Sequence, residues 1–136
     1  MTIYVLDASA LIRFVDGEGG AARIRQILSE CAARRAGVCV SALQWGEVAG
    51  NMRKRFGESI EASILSTLLP SEANIVSATA DRAVHAANLK ADRKISYADA
   101  FALDLASDSP DHVLVTADYD FKDVEDLAHI EFLPAK

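Results

Sequence analysis

The sequence predicts an α/β fold: a mostly parallel central sheet of about five strands flanked by helices on both faces. Three observations carry that expectation. Short apolar runs alternate with longer segments of helical periodicity along the whole chain. Two of the runs, Thr2-Ile3-Tyr4-Val5-Leu6 and Val113-Leu114-Val115, are apolar throughout, as strands buried on both faces must be. Both end in similar chemistry, Asp7-Ala8-Ser9 after the first and Thr116-Ala117-Asp118 after the second. In open α/β sheets ligands collect at the carboxyl ends of the strands, so these ends mark an acidic pocket suited to a divalent cation.

The elements follow in order. A short helix from Ala8 to about Val15 is closed by Asp16-Gly17. A second, from Ala21 to Arg35, carries Ile24, Ile27, Leu28 and Cys31 at helical spacing, with Gly37 as its stop signal. Val38-Cys39-Val40 is a strand, after which Ser41 caps a helix and Gln44 completes a capping box. Gly57 ends that helix, and another runs from Glu58 to Leu69 before Pro70. Asn74-Ile75-Val76 is the third strand, Thr79 starts a helix to Lys90, and Ser96 starts one reaching Ser107 before Pro110. Residues 112–116 form a strand, a loop with one helical turn follows, and Ile130-Glu131-Phe132-Leu133 is the last strand. Nothing reads as a repeat, a linker or a low-complexity tract, so residues 1–136 are expected to form one domain.

Composition narrows the class. Apolar residues make up 51% of the chain and charged residues 25%, the balance of a water-soluble globule. No apolar run approaches the roughly 20 residues of a membrane helix. The N-terminus shows neither a charged leader nor a cleavage-site pattern, which gives the expectation of a cytoplasmic protein with no membrane partner. Cys31 and Cys39 lack metal-ligand spacing and are expected to be core thiols. A net charge of −6 argues against binding nucleic acid through the whole surface, though not against a nucleic-acid substrate at a cation-bearing site. The clustered cations Arg34-Arg35, Arg53-Lys54-Arg55 and Arg93-Lys94 are read first as complements to helix C-termini and second as phosphate-steering groups.

With 20 Asp and Glu in the chain, each candidate acid needs a positional reason. Asp7, ending a buried strand, is either a functional carboxylate or the cap of the helix that follows. Asp118 and Asp120 follow the other strand, where an Asx-turn accounts for one of them. Asp99 stands in a Ser96-Tyr97-Ala98-Asp99 capping box, which explains it unaided, yet a helix starting at a sheet end also delivers a carboxylate to the crevice. Glu47 lies opposite the apolar stripe of Trp45, Val48, Ala49 and Met52, on a face shared with Gln44, Asn51 and Lys54. That face is solvent or an open acidic cleft. His85, His112 and His129 have no ligand spacing, and Gly17-Glu18-Gly19-Gly20 lacks the Lys-Ser/Thr of a phosphate loop.

Four fragments in this order resemble the PIN domain, and in particular the VapC-type toxins of prokaryotic toxin–antitoxin pairs. They are Tyr4 to Ile12, Ser41 to Val48, Ser96 to Leu103 and Val115 to Phe121, and together they span nearly the whole chain. The resemblance implies that Asp7, Glu47, Asp99 and Asp118 are the catalytic and metal-binding quartet. It implies that Ser9 and Thr116 orient them, and that Asp120 is a further acid present in some members. Asp104 departs from the family pattern, in a helix stretch that is usually small and apolar, and is expected to face solvent. The implied activity is Mg²⁺- or Mn²⁺-dependent hydrolysis of RNA phosphodiesters, tRNA or rRNA among the substrates. The implied partners are a cognate antitoxin, which can direct an Arg into the acidic site, and a second copy of the chain in a homodimer. The helices carrying Ile24, Ile27, Leu28 and Cys31, and Ile60, Ile64, Leu65 and Leu68, are core or partner surfaces.

Rival readings share the first strand. A haloacid-dehalogenase-type phosphatase needs Asp where Ser9 stands and a catalytic Lys. A receiver domain needs an acidic pair before the first helix and a phosphoacceptor near the third strand's end, where Ser77 lies. The non-enzymatic reading is a PIN-like module whose acidic face captures a basic peptide.

Overall fold

A computed structural model describes all residues, Met1–Lys136. Its five strands are β1 (Ile3–Leu6), β2 (Gly37–Ser41), β3 (Asn74–Val76), β4 (His112–Thr116) and β5 (His129–Phe132). They form one sheet in the order β3-β2-β1-β4-β5, and every pairing is parallel. The helices are α1 (Ala8–Asp16), α2 (Ala21–Ala32), α3 (Ala42–Phe56), α4 (Glu58–Thr67), α5 (Ala80–Lys90) and α6 (Tyr97–Ala106). The expected fold class is therefore the observed one, with a sheet parallel throughout.

The pleat explains the uniformly apolar strands. Leu6, Val38, Val40 and Val115 pack with α1, α2, α3 and Leu68 on one face of the sheet. Their strand neighbours Val5, Cys39 and Leu114 point the other way, into α6 and Ala86 of α5. Both cysteines are buried and free.

Several boundaries shift from expectation. The second helix stops at Ala32, and Arg34 takes a left-handed φ of 61°, so the turn precedes Gly37, which opens β2 rather than closing a helix. α1 ends as expected on Gly17, whose left-handed φ of 64° lets its N–H reach the carbonyls of Arg13 and Phe14. The helical turn after β4 is a six-residue 3-10 segment, Tyr119–Val124. Ile24, Ile27, Leu28 and Cys31 are all buried, as is Leu68, so these residues are core and not a partner surface; Ile60 alone of the second group is well exposed.

The strand order reverses between β1, which continues to β2, and β4, which continues to β5. Such a switch point opens a crevice outside the carboxyl ends of the central strands. Asp7 follows β1 there and Thr116 ends β4.

Candidate acidic site at the switch point

Asp7 is the N-cap of α1, and Asp118 caps the 3-10 segment with its side chain accepting from the Asp120 N–H at 2.9 Å. The capping explanations are thus both realised. They do not exhaust the carboxylates, because two oxygens offer about four acceptor positions.

Asp7 is 1% exposed and laced into both strand ends. Its Oδ1 accepts from Ala10 N at 2.9 Å and from the Ser9 hydroxyl at 2.8 Å. Its Oδ2 accepts from the Thr116 hydroxyl at 2.5 Å. Thr116 Oγ1 in turn accepts from Asp118 N at 2.9 Å, and Ser9 Oγ accepts from Ala117 N at 2.9 Å. Two hydroxyls therefore fix Asp7 and tie the end of β1 to the end of β4.

Asp99 sits in the first turn of α6, where Ser96 Oγ accepts its N–H at 3.1 Å. Its carboxylate is half-buried and accepts from Gln44 Nε2 at 3.3 Å. Glu47 projects from α3 and is exposed. Asp120 is exposed beside Asp118.

The acids feel one another. Burial pushes the Asp7 carboxyl up to about 6, against the pull of its hydrogen bonds, and the Asp99 charge adds to the rise. Glu47, though exposed overall, is raised by partial desolvation of its carboxylate, then by the charges of Asp99 and Asp118. Asp99 is raised by burial, opposed by the Gln44 hydrogen bond, and raised further by Asp118 and Asp120. Asp7, Glu47, Asp99, Asp118 and Asp120 thus share one electrostatic neighbourhood. None of the five takes part in any of the chain's ion pairs. A cavity of about 550 Å³ opens beside Asp118, lined also by Ser9, Tyr119, Arg13, Glu18 and Lys136.

No three His, Cys, Asp or Glu side chains are gathered closely enough to form a ready metal-ligand set. Like-charged carboxylates with no cation between them repel, which favours spacing. Mg²⁺ asks little of a preformed cage, since it keeps several waters and takes one or two direct carboxylates. The donor chemistry, all oxygen with no His or Cys, suits such a hard cation.

Residues 4–127 match the PIN domain. The chain belongs to the PIN domain family. Among solved structures, it is similar to VapBC2 from Rickettsia felis bound to a promoter DNA fragment, at 18% identity and a TM-score of 0.75, covering 98% of this chain and 100% of that one. It is similar to VapC20 from Mycobacterium tuberculosis, a toxin that cleaves the sarcin-ricin loop, at 19% identity and a TM-score of 0.72, covering 98% and 100%. A toxin–antitoxin complex from Klebsiella pneumoniae matches at 20% identity and a TM-score of 0.70, covering 98% and 99%. At these identities the likeness is one of fold. No curated protein sequence matches the chain.

Two residues of this PIN domain behave differently from expectation. Gln44 completes no capping box. It is 1% exposed, and its amide runs under the site to α1 and α6. A signal for this existed, because Gln44, Val48 and Met52 lie on one i, i+4 row and all three are buried. Asp104 does not face solvent. At 2% exposed, it binds Arg82 Nη1 at 2.8 Å and His85 Nδ1, both on α5. The cations of Arg53 and Arg93 are engaged with Glu58, Glu61 and Asp126, and Arg55 with Asp16. No helix is long and apolar enough to cross a membrane.

Proposed function

We propose that this PIN domain is the toxin of a toxin–antitoxin pair and acts as a Mg²⁺- or Mn²⁺-dependent endoribonuclease. One observation carries the reading: Asp7, Glu47 and Asp99 are all held above the usual carboxylate range by burial and by neighbouring acids, Asp118 and Asp120 among them, and none of these carboxylates is paired with a protein cation. A folded chain tolerates such crowding where an external cation completes it.

Asp7, Asp99 and Asp118 are the proposed direct ligands, with Glu47 as a further direct or water-mediated one. Bound there, the cation would polarise a water and the phosphate under attack. Ser9 and Thr116 hold the Asp7 carboxylate in one orientation through their hydroxyl hydrogens. The Asx-turn onto Asp120 N occupies one oxygen of Asp118 and leaves the other for the crevice. Tyr119, well exposed, lines the adjoining cavity, where its ring suits a nucleotide flanking the cut, while the buried Arg13 beside it is committed to the Gly19 and Pro134 carbonyls. The same acids suit an antitoxin arginine, whose fork pairs with a carboxylate in two parallel hydrogen bonds. Homodimerisation belongs to this reading.

The test is cleavage of a total RNA pool with Mg²⁺ or Mn²⁺, with EDTA, and with Asp99→Asn. The expected result is discrete cuts that vanish in both controls. Absence of cutting by folded, metal-supplied, antitoxin-free protein would overturn the nuclease and leave the peptide-capturing module.

A further inference from the structure

Gln44 is a buried amide with every hydrogen-bonding atom committed. Its Oε1 accepts from Ala8 N at 2.8 Å, one of the N–H groups that the start of α1 leaves without a helical partner. Its Nε2 donates to Ala98 O at 2.8 Å and to Asp99 Oδ1 at 3.3 Å. The amide can face only this way, because Ala8 N can only donate and Ala98 O can only accept. One side chain from α3 therefore holds the residue after Asp7, the residue before Asp99, and the Asp99 carboxylate itself.

Those two acids have reason to separate. Asp7 stands after β1 and Asp99 starts α6, and their charges oppose one another. The Gln44 hydrogen bond joins Asp99 to the frame around Asp7, and Asp99 makes no ion pair that could replace it.

We propose that Gln44 is a positioning residue that braces Asp99 against the Asp7 end of the site, setting the spacing of these carboxylates for a divalent cation. This rests on the functional reading above. Gln44 touches neither cation nor RNA; it acts through the backbone on either side and through Asp99. Hydrogen-bond partners of metal-binding carboxylates commonly change affinity by ~10–100-fold when removed.

The test uses Mn²⁺ alone, titrated calorimetrically into wild type, Gln44→Met, Gln44→Asn and Leu68→Ala. Gln44→Met keeps roughly the volume and removes the acceptor for Ala8 N together with the N–H donors to Ala98 O and Asp99 Oδ1. Gln44→Asn keeps the amide but is one methylene too short to span Ala8 and Ala98, and carries the test if the first variant does not fold. Leu68→Ala weakens the buried core away from the acids and measures the effect of lost stability alone. Mn²⁺ affinity should fall at least about tenfold in the Gln44 variants and stay unchanged in Leu68→Ala. The RNA reaction should lose kcat at saturating Mn²⁺ with KM little altered. Wild-type affinity in a folded Gln44 variant, or an equal fall in Leu68→Ala, overturns the brace while leaving the metal site standing. No Mn²⁺ uptake by the wild type overturns the functional reading, and the brace with it.

Discussion

Asp7 and Asp104 are both buried carboxylates, 1% and 2% exposed, one at the carboxyl end of the sheet and one between α5 and α6. Asp104 is neutralised within the protein. Arg82 reaches it at 2.8 Å and also holds Asp108 at 2.9 Å, while His85 closes the other side. Asp7 has hydroxyls and a backbone N–H for company, and its charged neighbours are acids. A buried charge is costly unless paired, so the pairing of Asp104 describes a clamp between two helices. On the proposed reading, the unpaired state of Asp7 is that of a carboxylate awaiting a cation from outside the chain. Burial alone would not separate these roles; what faces the carboxylate does.

The largest effect expected from breaking this contrast is on chemistry. Asp7→Asn should lower RNA cleavage by about a hundredfold or more, as removal of a group stabilising the transition state commonly does, while the circular dichroism spectrum stays native. Asp104→Asn should leave the folded protein's cleavage nearly unchanged. Comparable losses from both would erase the distinction.

Next comes the clamp. Arg82→Ala strands the buried Asp104 with His85 alone and should cost about 3 kcal/mol of stability, read from urea unfolding. A change well below 1 kcal/mol would show that Asp104 does not depend on Arg82.

A third prediction turns on pH. Folded Asp7 holds its proton up to about 6, whereas an ordinary carboxyl releases it at 3.8. The folded state then binds more protons than the unfolded one, so this group favours folding at acid pH and loses that advantage as pH rises through that window. The difference corresponds to about 3 kcal/mol of destabilisation at neutral pH. Asp7→Asn stays neutral, so whatever its altered hydrogen bonds cost at every pH, its stability relative to wild type should rise as pH increases from about 4 to 7. A stability difference between variant and wild type that does not change over this range would contradict the account of Asp7.

The smallest effect is local. Ser96→Ala removes the cap at the start of α6, one turn from Asp99, and should cost about 1 kcal/mol. If cleavage falls further than that loss of stability explains, the cap also helps to aim Asp99.

Most of the architecture was legible because its signals are local. Apolar runs bounded by turn residues gave β1, β2, β3 and β4 within a residue or two, and Ser41, Thr79 and Ser96 all cap helices as their positions suggest. Asp7 and Asp118 were legible as candidates because each follows a strand. Glu47 was not legible from periodicity, since an acid beside solvent looks the same whether or not a cleft lies there. Gln44 and Asp104 were misread for another reason. A polar residue in a helix is assigned to solvent by default, and the partners that permit its burial lie far along the chain. Ala8 and Ala98 are 36 and 54 residues from Gln44, and Arg82 is 22 residues from Asp104.

The central claim, that the unpaired acids are a cation site and the paired acids are not, is tested most directly by titrating Mn²⁺ into wild type, Asp7→Asn and Asp104→Asn and following heat. The account predicts saturable binding by wild type and by Asp104→Asn, and binding weakened at least about tenfold in Asp7→Asn. Equal binding by wild type and Asp7→Asn, or a loss confined to Asp104→Asn, would contradict it.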